Sequence, residues 1–259
     1  MLCVENTFQW REFDAYLFDI DGTLLNSRDA VHYDAFLSAL RHLSGRALNL
    51  QGVTVQGSTD PIILLDALLL AGLAEAEVRA ALPSALARMA AEVEARTAEL
   101  RPELCPAVPQ LLAELQAAGK VLGVSSGNLE SIGWAKLRAA GIAEYFSFGS
   151  FSDRNDRREA IFRWGAEQAQ RLCTGAPSAP AVGVMGQTGA PSAPAVGVMG
   201  QSGARVCFVG DTPADIAAAK ACSFPIVAVA TGIYSVVELA CGSPELCIPA
   251  CEILLGPPR

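Results

Sequence analysis

The sequence has little of what several functional classes require. It contains only two histidines, and its eight cysteines form no CxxC pair, so we expect reduced thiols rather than a zinc site or disulfides. Basic residues are outnumbered, with 19 Lys and Arg against 27 Asp and Glu, and the net charge of −8 disfavours binding to nucleic acid or anionic membranes. The best apolar run, at 61–74, contains Asp66, and the N-terminus lacks the pattern of a signal peptide. These absences predict a cytoplasmic protein with neither nucleic acid nor a membrane as partner.

Short apolar runs recur along the chain and alternate with helical patterns. The runs at 15–20, 120–126, 204–211 and 224–231 each end at a polar or glycine-bearing turn. Helical patterns occupy 106–119, 129–141, about 156–172 and 215–222. This alternation predicts an α/β fold with a doubly wound, mostly parallel, Rossmann-like sheet that is covered by helices on both faces.

Residues 28–101, called the insert below, have a different pattern. They are helical throughout, apart from a weak strand pattern at 52–57. We therefore predict an all-helical cap domain at 28–101, inserted into a core domain that is formed by 1–27 and 102–259. The 14-residue segment TGAPSAPAVGVMGQ occurs twice in tandem at 174–201. Because it is rich in Gly, Pro and Ala, we interpret it as a surface loop of the core, and its lack of charged and aromatic residues disfavours a partner-binding or lid segment.

Acidic residues stand at the ends of two predicted strands. Asp19 and Asp21 follow the first apolar run, and Asp211 ends ARVCFVGD, with Asp215 four residues further on. Because parallel α/β sheets bind ligands at the carboxyl ends of their strands, we expect these side chains to converge. Crowded carboxylates repel one another unless a cation neutralises them or one keeps a proton, and an oxygen-rich site suits Mg²⁺.

A predicted anion site accompanies the carboxylates. Another strand ends in Ser125, Ser126, Gly127 and Asn128, where a helix begins. A hydroxyl and free backbone N–H groups at a helix start bind anionic oxygens, and strand alternation lets only one of the two serines reach the ligand. Carboxylates with Mg²⁺ beside such a site indicate phosphoryl transfer.

Three segments carry a family resemblance. DIDGTLLNS, SSGN and GDTPADI resemble motifs one, two and four of the haloacid dehalogenase-like hydrolase superfamily, and the insert resembles the helical cap of its phosphoglycolate phosphatase-like branch. The resemblance covers nearly the whole chain except the repeat. It implies a Mg²⁺-dependent phosphatase that hydrolyses a small phosphate monoester, of phosphoglycolate type, through an aspartyl-phosphate intermediate.

The resemblance also implies residue roles. Asp19 would be the nucleophile, and Asp21 would be the general acid for the leaving alcohol and then the general base for water. Mg²⁺ would be held by Asp19, the backbone carbonyl of Asp21, and Asp211, with support from Asp215. The residues expected to position the loop or bind the phosphate are Thr23, Ser126, Gly127 and Asn128.

Motif three, which supplies a cation to the phosphate and the nucleophile, has two candidate positions. Lys136 follows Ser126 at a spacing that resembles a bacterial subgroup with Thr-Gly-Asn and then Lys-Leu. Arg157 or Arg158 stands where many relatives have a Lys-Pro pair. We favour Lys136 and keep Arg157 as a candidate phosphate-binding residue. Their alternative interpretations are an exposed helix lysine and an ordinary arginine at a helix start.

The insert contributes further candidates. QGSTDP resembles the substrate-facing loop of the cap, which would bring Gly57, Ser58, Thr59 and Asp60 to the pocket. Helix capping by Ser58 or Thr59 explains the same residues equally well. His32 could also face the substrate, although a lone histidine there is more often an ordinary helix residue.

Other functions share part of this pattern. A sugar phosphomutase of the same superfamily has all these motifs and is the main alternative. A phosphoacceptor signalling domain also groups carboxylates, Mg²⁺, a hydroxyl and a lysine, but it needs neither Asp21 nor a helical insert. A Schiff-base phosphonate hydrolase is disfavoured because the insert contains no lysine. The expected partner is a small phosphorylated metabolite, and the sequence does not predict an oligomeric state.

Overall fold

A parallel sheet organises the chain. The structure, a computed structural model, describes residues 8–175 and 203–255. Its six-stranded sheet has the order β5-β4-β1-β6-β7-β8, and every neighbouring pair is parallel. These strands are β1 Ala15–Phe18, β4 Val121–Ser125, β5 Phe148–Ser150, β6 Val206–Gly210, β7 Ile226–Val229 and β8 Leu246–Ile248. The predicted α/β class with a mostly parallel sheet is confirmed.

Helices cover both faces of this sheet. They are α4 Val108–Ala117, α5 Glu130–Ala139, α6 Arg158–Thr174, α7 Pro213–Ala221 and α8 Val236–Cys241. Side chains of β1 alternate between two cores, as the period of two in a strand requires. Tyr16 and Phe18 belong to one apolar cluster, whereas Leu17 belongs to the other, where the rings of Phe162 and Phe208 stack at 4.1 Å.

The insert contains three helices, α1 Val31–Ser44, α2 Asp60–Leu70 and α3 Glu75–Ala95. They share an apolar cluster of their own, which includes Phe36, Leu64 and Met89 and which reaches α5 at Ile132. Two short antiparallel strands, β2 Leu25–Ser27 and β3 Pro102–Leu104, pair with each other where the chain enters and leaves the insert. The division into a core domain and a cap domain stays a prediction.

Two further expectations concern local structure. The weak strand pattern noted at 52–57 forms no strand, and the chain there contains turns. Gly52 and Gly57 have φ of +84° and +75°, in the left-handed region that an extended strand does not use. Nearly all of the tandem repeat, from residue 176 onward, lies outside the described residues. In the described ranges, no helix combines the length and the apolar composition needed to cross a bilayer.

Candidate active site

Strand pairing brings the predicted carboxylates together. β1 and β6 are parallel neighbours in which Phe18 pairs with Val209, so Asp19 and Asp211, just beyond these strands, leave the same edge of the sheet. Asp215 lies in the first turn of α7, where its Oδ2 accepts hydrogen bonds from the backbone and hydroxyl of Thr212, at 3.0 and 2.7 Å. Carboxylate oxygens of Asp19, Asp211 and Asp215 lie within 4.8 Å of one another, and all three residues are buried.

The crowding of these carboxylates perturbs their protonation. Burial, with the nearby Asp215 and Asp19, raises the pKa of Asp211 to about 8, although Thr23 Oγ1 donates a hydrogen bond to it at 3.0 Å. Burial also raises the pKa of Asp19 to about 6, against the opposing charge of Arg158. Two buried carboxylates with raised pKa values, clustered with the third carboxylate of Asp215, are a donor set that suits a hard divalent cation. The residues present therefore fit Mg²⁺.

Gly22 holds the loop against this cluster. Its φ is +85°, and an added Cβ would overlap the carboxylate of Asp211. The turn between Asp21 and Thr23 therefore needs glycine both for its backbone conformation and for the space beside the acid.

We expect Gly22→Ala to destabilise the protein and to lower its activity. Gly72→Ala is the matched control, since Gly72 has φ of +87° but no neighbouring atom within 4 Å of an added Cβ. Both variants should lose about 1 kcal/mol of unfolding free energy to the left-handed backbone. Gly22→Ala should lose about 1–3 kcal/mol more through overpacking. Equal losses in urea denaturation would show that the contact with Asp211 does not matter.

Asp21 is held by two side chains that the sequence had assigned other roles. Lys136 Nζ lies 2.8 and 2.7 Å from its two carboxylate oxygens, and Asn128 Nδ2 donates to it at 2.7 Å. Lys136 also donates to Asn128 Oδ1 at 3.0 Å. Burial raises the pKa of Asp21, but Lys136 and Asn128 outweigh it and lower that pKa overall. Lys136 therefore contacts Asp21 rather than Asp19, whereas a motif-three cation was expected to contact the nucleophile.

Arg158 is the cation that reaches Asp19. Its Nη2 lies 2.6 Å from Asp19 Oδ2 and 2.6 Å from Asp215 Oδ1, and its Nε donates to Asp215 at 2.7 Å. These buried carboxylates raise the pKa of the guanidinium and keep it charged. Arg157, the candidate phosphate-binding residue, is exposed and precedes α6, so the structure does not bring it to the site. Arg157 has an extended backbone at the helix N-cap, whereas Arg158 is the first helical residue, and only Arg158 lies among the carboxylates.

The loop after β4 supplies the hydroxyl. Ser126 lines a cavity between the sheet edge and the insert, which is described below. Its Oγ accepts a hydrogen bond from Asn128 Nδ2 at 2.9 Å. Ser125 Oγ is buried, and the described residues offer it no hydrogen-bond partner. Of the two serines, Ser126 is therefore the one at the cavity, which is the serine that the resemblance to motif two favoured.

The segment at the start of α2 contacts the loop that carries Ser126. The backbone N–H of Asp60 donates to Gly127 O, and Asp60 Oδ2 accepts from the backbone N–H of Leu129, both at 2.8 Å. Thr59 Oγ1 donates to Asp156 O at 2.7 Å, and it makes no helix-capping bond within the described chain. Arg158 Nη1 donates to Gly57 O at 3.4 Å. The insert loop is thus joined to both sides of the site.

A cavity of about 290 Å³ lies between the sheet edge and the insert. Gly57, Ser58, Asp60 and His32 line it, as predicted, whereas Thr59 points away to Asp156. His32 Nε2 lies 3.3 Å from Asp60 Oδ2, and its ring stacks on Phe36. Several residues that line the cavity were not predicted from the sequence. For three of them, Asp29, Tyr33 and Phe36, the available signal was their helical spacing around His32. The missed residues are Ser27, Asp29, Tyr33, Phe36, Leu50, Val55, Gln56, Ile63 and Thr212.

Comparison with protein-family models identifies the family. The model described as "Hydrolase: haloacid dehalogenase-like hydrolase" matches residues 13–223, which is most of the chain. The chain belongs to the haloacid dehalogenase-like hydrolase family. The superfamily that the three motifs predicted is therefore confirmed, and the protein is a hydrolase.

Solved structures share the fold of this haloacid dehalogenase-like hydrolase. A predicted phosphoglycolate phosphatase from Haemophilus somnus is 20% identical, with a TM-score of 0.60, and the match covers 93% of this chain and 96% of that one. A predicted phosphatase from Clostridium acetobutylicum has 15% identity, a TM-score of 0.60 and the same coverages. A beta-phosphoglucomutase from Clostridium difficile has 15% identity and a TM-score of 0.58, with 94% and 93% covered. No curated protein matched the sequence significantly.

Proposed function

We propose that this hydrolase is a Mg²⁺-dependent phosphatase that hydrolyses a small phosphate monoester through an aspartyl-phosphate. The observation that carries the proposal is the position of Asp19. Its carboxylate lies at the end of β1 beside Arg158, Asp211 and Asp215, while Asp21 lines the same cavity. A nucleophilic carboxylate, a second carboxylate for proton transfer and a cation for the phosphoryl oxygens are the parts that this reaction needs.

In the first half-reaction, an oxygen of Asp19 attacks phosphorus, and the bond from phosphorus to the ester oxygen breaks. Asp21 gives a proton to the departing alcohol. Lys136 and Asn128 lower the pKa of Asp21 in the free enzyme. The negative charge of a bound phosphate raises that pKa, because a like charge disfavours the ionised carboxylate. Substrate binding therefore helps to protonate the group that must act as an acid.

In the second half-reaction, Asp21 takes a proton from water, which attacks the phosphorus of the aspartyl-phosphate and frees Asp19. Lys136 and Asn128 lower the pKa of Asp21 and so keep it ionised, which is the form that can accept this proton. Arg158 and Ser126, which both line the cavity, would bind the phosphoryl oxygens in both steps.

The carboxylates of Asp19, Asp211 and Asp215, with the backbone carbonyl of Asp21, would hold Mg²⁺. When it is bound, Mg²⁺ neutralises charge on the transferred phosphoryl group. Thr23 fixes one oxygen of Asp211 through its hydrogen bond, so it acts as a positioning residue for this set.

We further propose that the insert is a cap that closes the cavity over the substrate. Its own apolar cluster supports a separately packed unit, and the β2–β3 pair is a suitable connection. The hydrogen bonds of Asp60 to Gly127 and Leu129 would hold the cap against the phosphate-binding loop. Such closure excludes water from the reaction until the alcohol has left.

Removal of the metal tests the proposed function. Purified protein should hydrolyse p-nitrophenyl phosphate with Mg²⁺, lose this activity in EDTA and regain it with excess Mg²⁺. Mg²⁺ should also raise the Tm of the wild type, because a ligand that binds only the folded state stabilises it. Asp211→Asn should lose most of that Tm shift, because it removes one of the three clustered carboxylates. Full activity in EDTA would contradict the metal assignment.

A further inference from the structure

We propose that the preferred substrate is the phosphate ester of an uncharged or cationic alcohol with an apolar part, and not of an alcohol that carries a second anionic group. The inference rests on the proposed phosphatase function and names its substrate class. It follows from the charges and the apolar side chains that surround the cavity beyond the reacting phosphate.

Carboxylates outnumber cations around the cavity. The acidic lining residues are Asp19, Asp21, Asp29 and Asp60, whereas the cationic ones are Lys136 and Arg158. Both cations are already paired, Lys136 with Asp21 and Arg158 with Asp19 and Asp215. Bound Mg²⁺ and a phosphate dianion have opposite and equal charges, so their arrival together leaves an acidic excess, which is smaller by one charge when Asp21 is protonated for the acid step. A second anionic group would be repelled by this excess.

Apart from the imidazole of His32, which already lies 3.3 Å from Asp60 Oδ2, the insert offers no basic side chain to offset that repulsion in the described structure. It contains no lysine, and none of its seven arginines lines the cavity in the described structure. Arg28 lies between the lining residues Ser27 and Asp29 in the sequence, but its side chain is exposed and pairs with Glu103. Arg96 pairs with Asp34, Glu92 and Glu99. The sequence at 1–7, 176–202 and 256–259 contains one basic side chain, that of Arg259.

The two acids from the insert side are held in place by backbone groups. Asp29 accepts hydrogen bonds from the N–H groups of Val31, at 3.0 Å, and Arg101, at 2.6 Å. Asp60 accepts from Leu129 N–H at 2.8 Å. Because these bonds fix the two carboxylates beside the cavity, they act on every bound alcohol.

Apolar side chains from the insert form the rest of the wall. Phe36, Leu50 and Ile63 are buried, whereas Tyr33 and Val55 are exposed. A hydrocarbon part of the substrate would lose contact with water against these side chains, whereas a charged carboxylate there would lose hydration without a partner.

Three phosphate esters of nearly equal size test the inference. These are 2-hydroxyethyl phosphate, phosphoethanolamine and phosphoglycolate, whose far ends are neutral, cationic and anionic. With the full chain and Mg²⁺, kcat/KM for phosphoglycolate should be at least about tenfold below that for 2-hydroxyethyl phosphate, because the added charge faces uncompensated carboxylates. Phosphoethanolamine should match or exceed the neutral ester. A kcat/KM for phosphoglycolate equal to or above that of the neutral ester would overturn the inference.

A rim variant tests the role of the cavity itself. Gln56 is exposed and lines the cavity, so Gln56→Lys should raise the ratio of phosphoglycolate to 2-hydroxyethyl phosphate turnover by several-fold. Gln51→Lys makes the same change at an exposed position that does not line it, and should leave that ratio unaltered. An unchanged ratio in Gln56→Lys, or equal shifts in both variants, would overturn the assignment. Failure of the proposed function is distinct, because then neither p-nitrophenyl phosphate nor any of the three esters is hydrolysed.

Discussion

Asp19→Asn should reduce phosphatase turnover by roughly 10⁴- to 10⁶-fold, which is the size of loss seen when a member of a catalytic unit is removed. The amide cannot attack phosphorus as a carboxylate does, so no aspartyl-phosphate forms. The substitution keeps the shape of the side chain, although it removes the negative charge that pairs with Arg158 and that would bind the metal. Steady-state kinetics and intact-protein mass measurement together check both consequences.

Asp21→Asn is the matched variant, because it makes the same change two residues away in the same cavity. It should slow both chemical steps but leave the nucleophile intact. Its residual turnover should therefore proceed through a phosphoenzyme that decays slowly. Turnover by Asp19→Asn at the wild-type rate would refute the nucleophile. A wild-type phosphoenzyme that persists for hours would instead favour the phosphoacceptor signalling alternative.

Arg158→Ala should lower kcat by about 10²- to 10³-fold, as is typical when one positioned donor to a transition state is removed. Arg158 bridges Asp19 and Asp215, so its loss also leaves two buried carboxylates facing each other without their guanidinium. Arg158→Lys should recover only part of the rate, because an ammonium cannot make the forked contact of a planar guanidinium.

Arg157→Ala is the control for this prediction. It removes the same charge and the same side chain from the adjacent residue, but Arg157 is exposed at the start of α6. Its kcat should stay within about twofold of the wild type, since exposed charges interact weakly. Equal kcat values for the two alanine variants, with both proteins folded by circular dichroism, would contradict the role of Arg158.

The carboxylate site was predictable because it depends on strand ends. Asp19 and Asp211 each follow a continuous apolar run, and parallel pairing then brings them to one edge regardless of the details of packing. Strand alternation indicated that only one of Ser125 and Ser126 would reach the ligand, and the position of Ser126 in the motif favoured that residue. The order of the motifs gave the family, and the family model confirms it.

The partners of the two cations were not predictable in the same way. Lys136 has a long side chain, and its contact with Asp21 depends on how α5 packs beside the loop after β4. Arg157 and Arg158 differ by one residue at a helix start, so a small change in where α6 begins exchanges the buried arginine for the exposed one. Neither outcome is encoded in a local pattern.

Short elements also escaped the sequence pattern. β2, β3, β5 and β8 each have three residues, too few for a period to be recognised. The alternation of apolar residues at 52–57 is typical of a strand, but the chain forms none there, because the segment is bounded by two glycines with positive φ. The α1 residues that line the cavity were not predicted, because their helical spacing is also typical of residues that pack into an ordinary core.

The measurement that tests the central claim most directly is identification of the phosphorylated residue. Asp21→Asn is mixed with substrate and Mg²⁺, quenched in acid at a series of times, digested and analysed by mass spectrometry. Phosphate should be found on Asp19, it should be released by hydroxylamine, and it should be missing from the Asp19→Asn/Asp21→Asn double variant. Phosphate on another residue, or product formation with no phosphoenzyme at any quench time, would contradict the account.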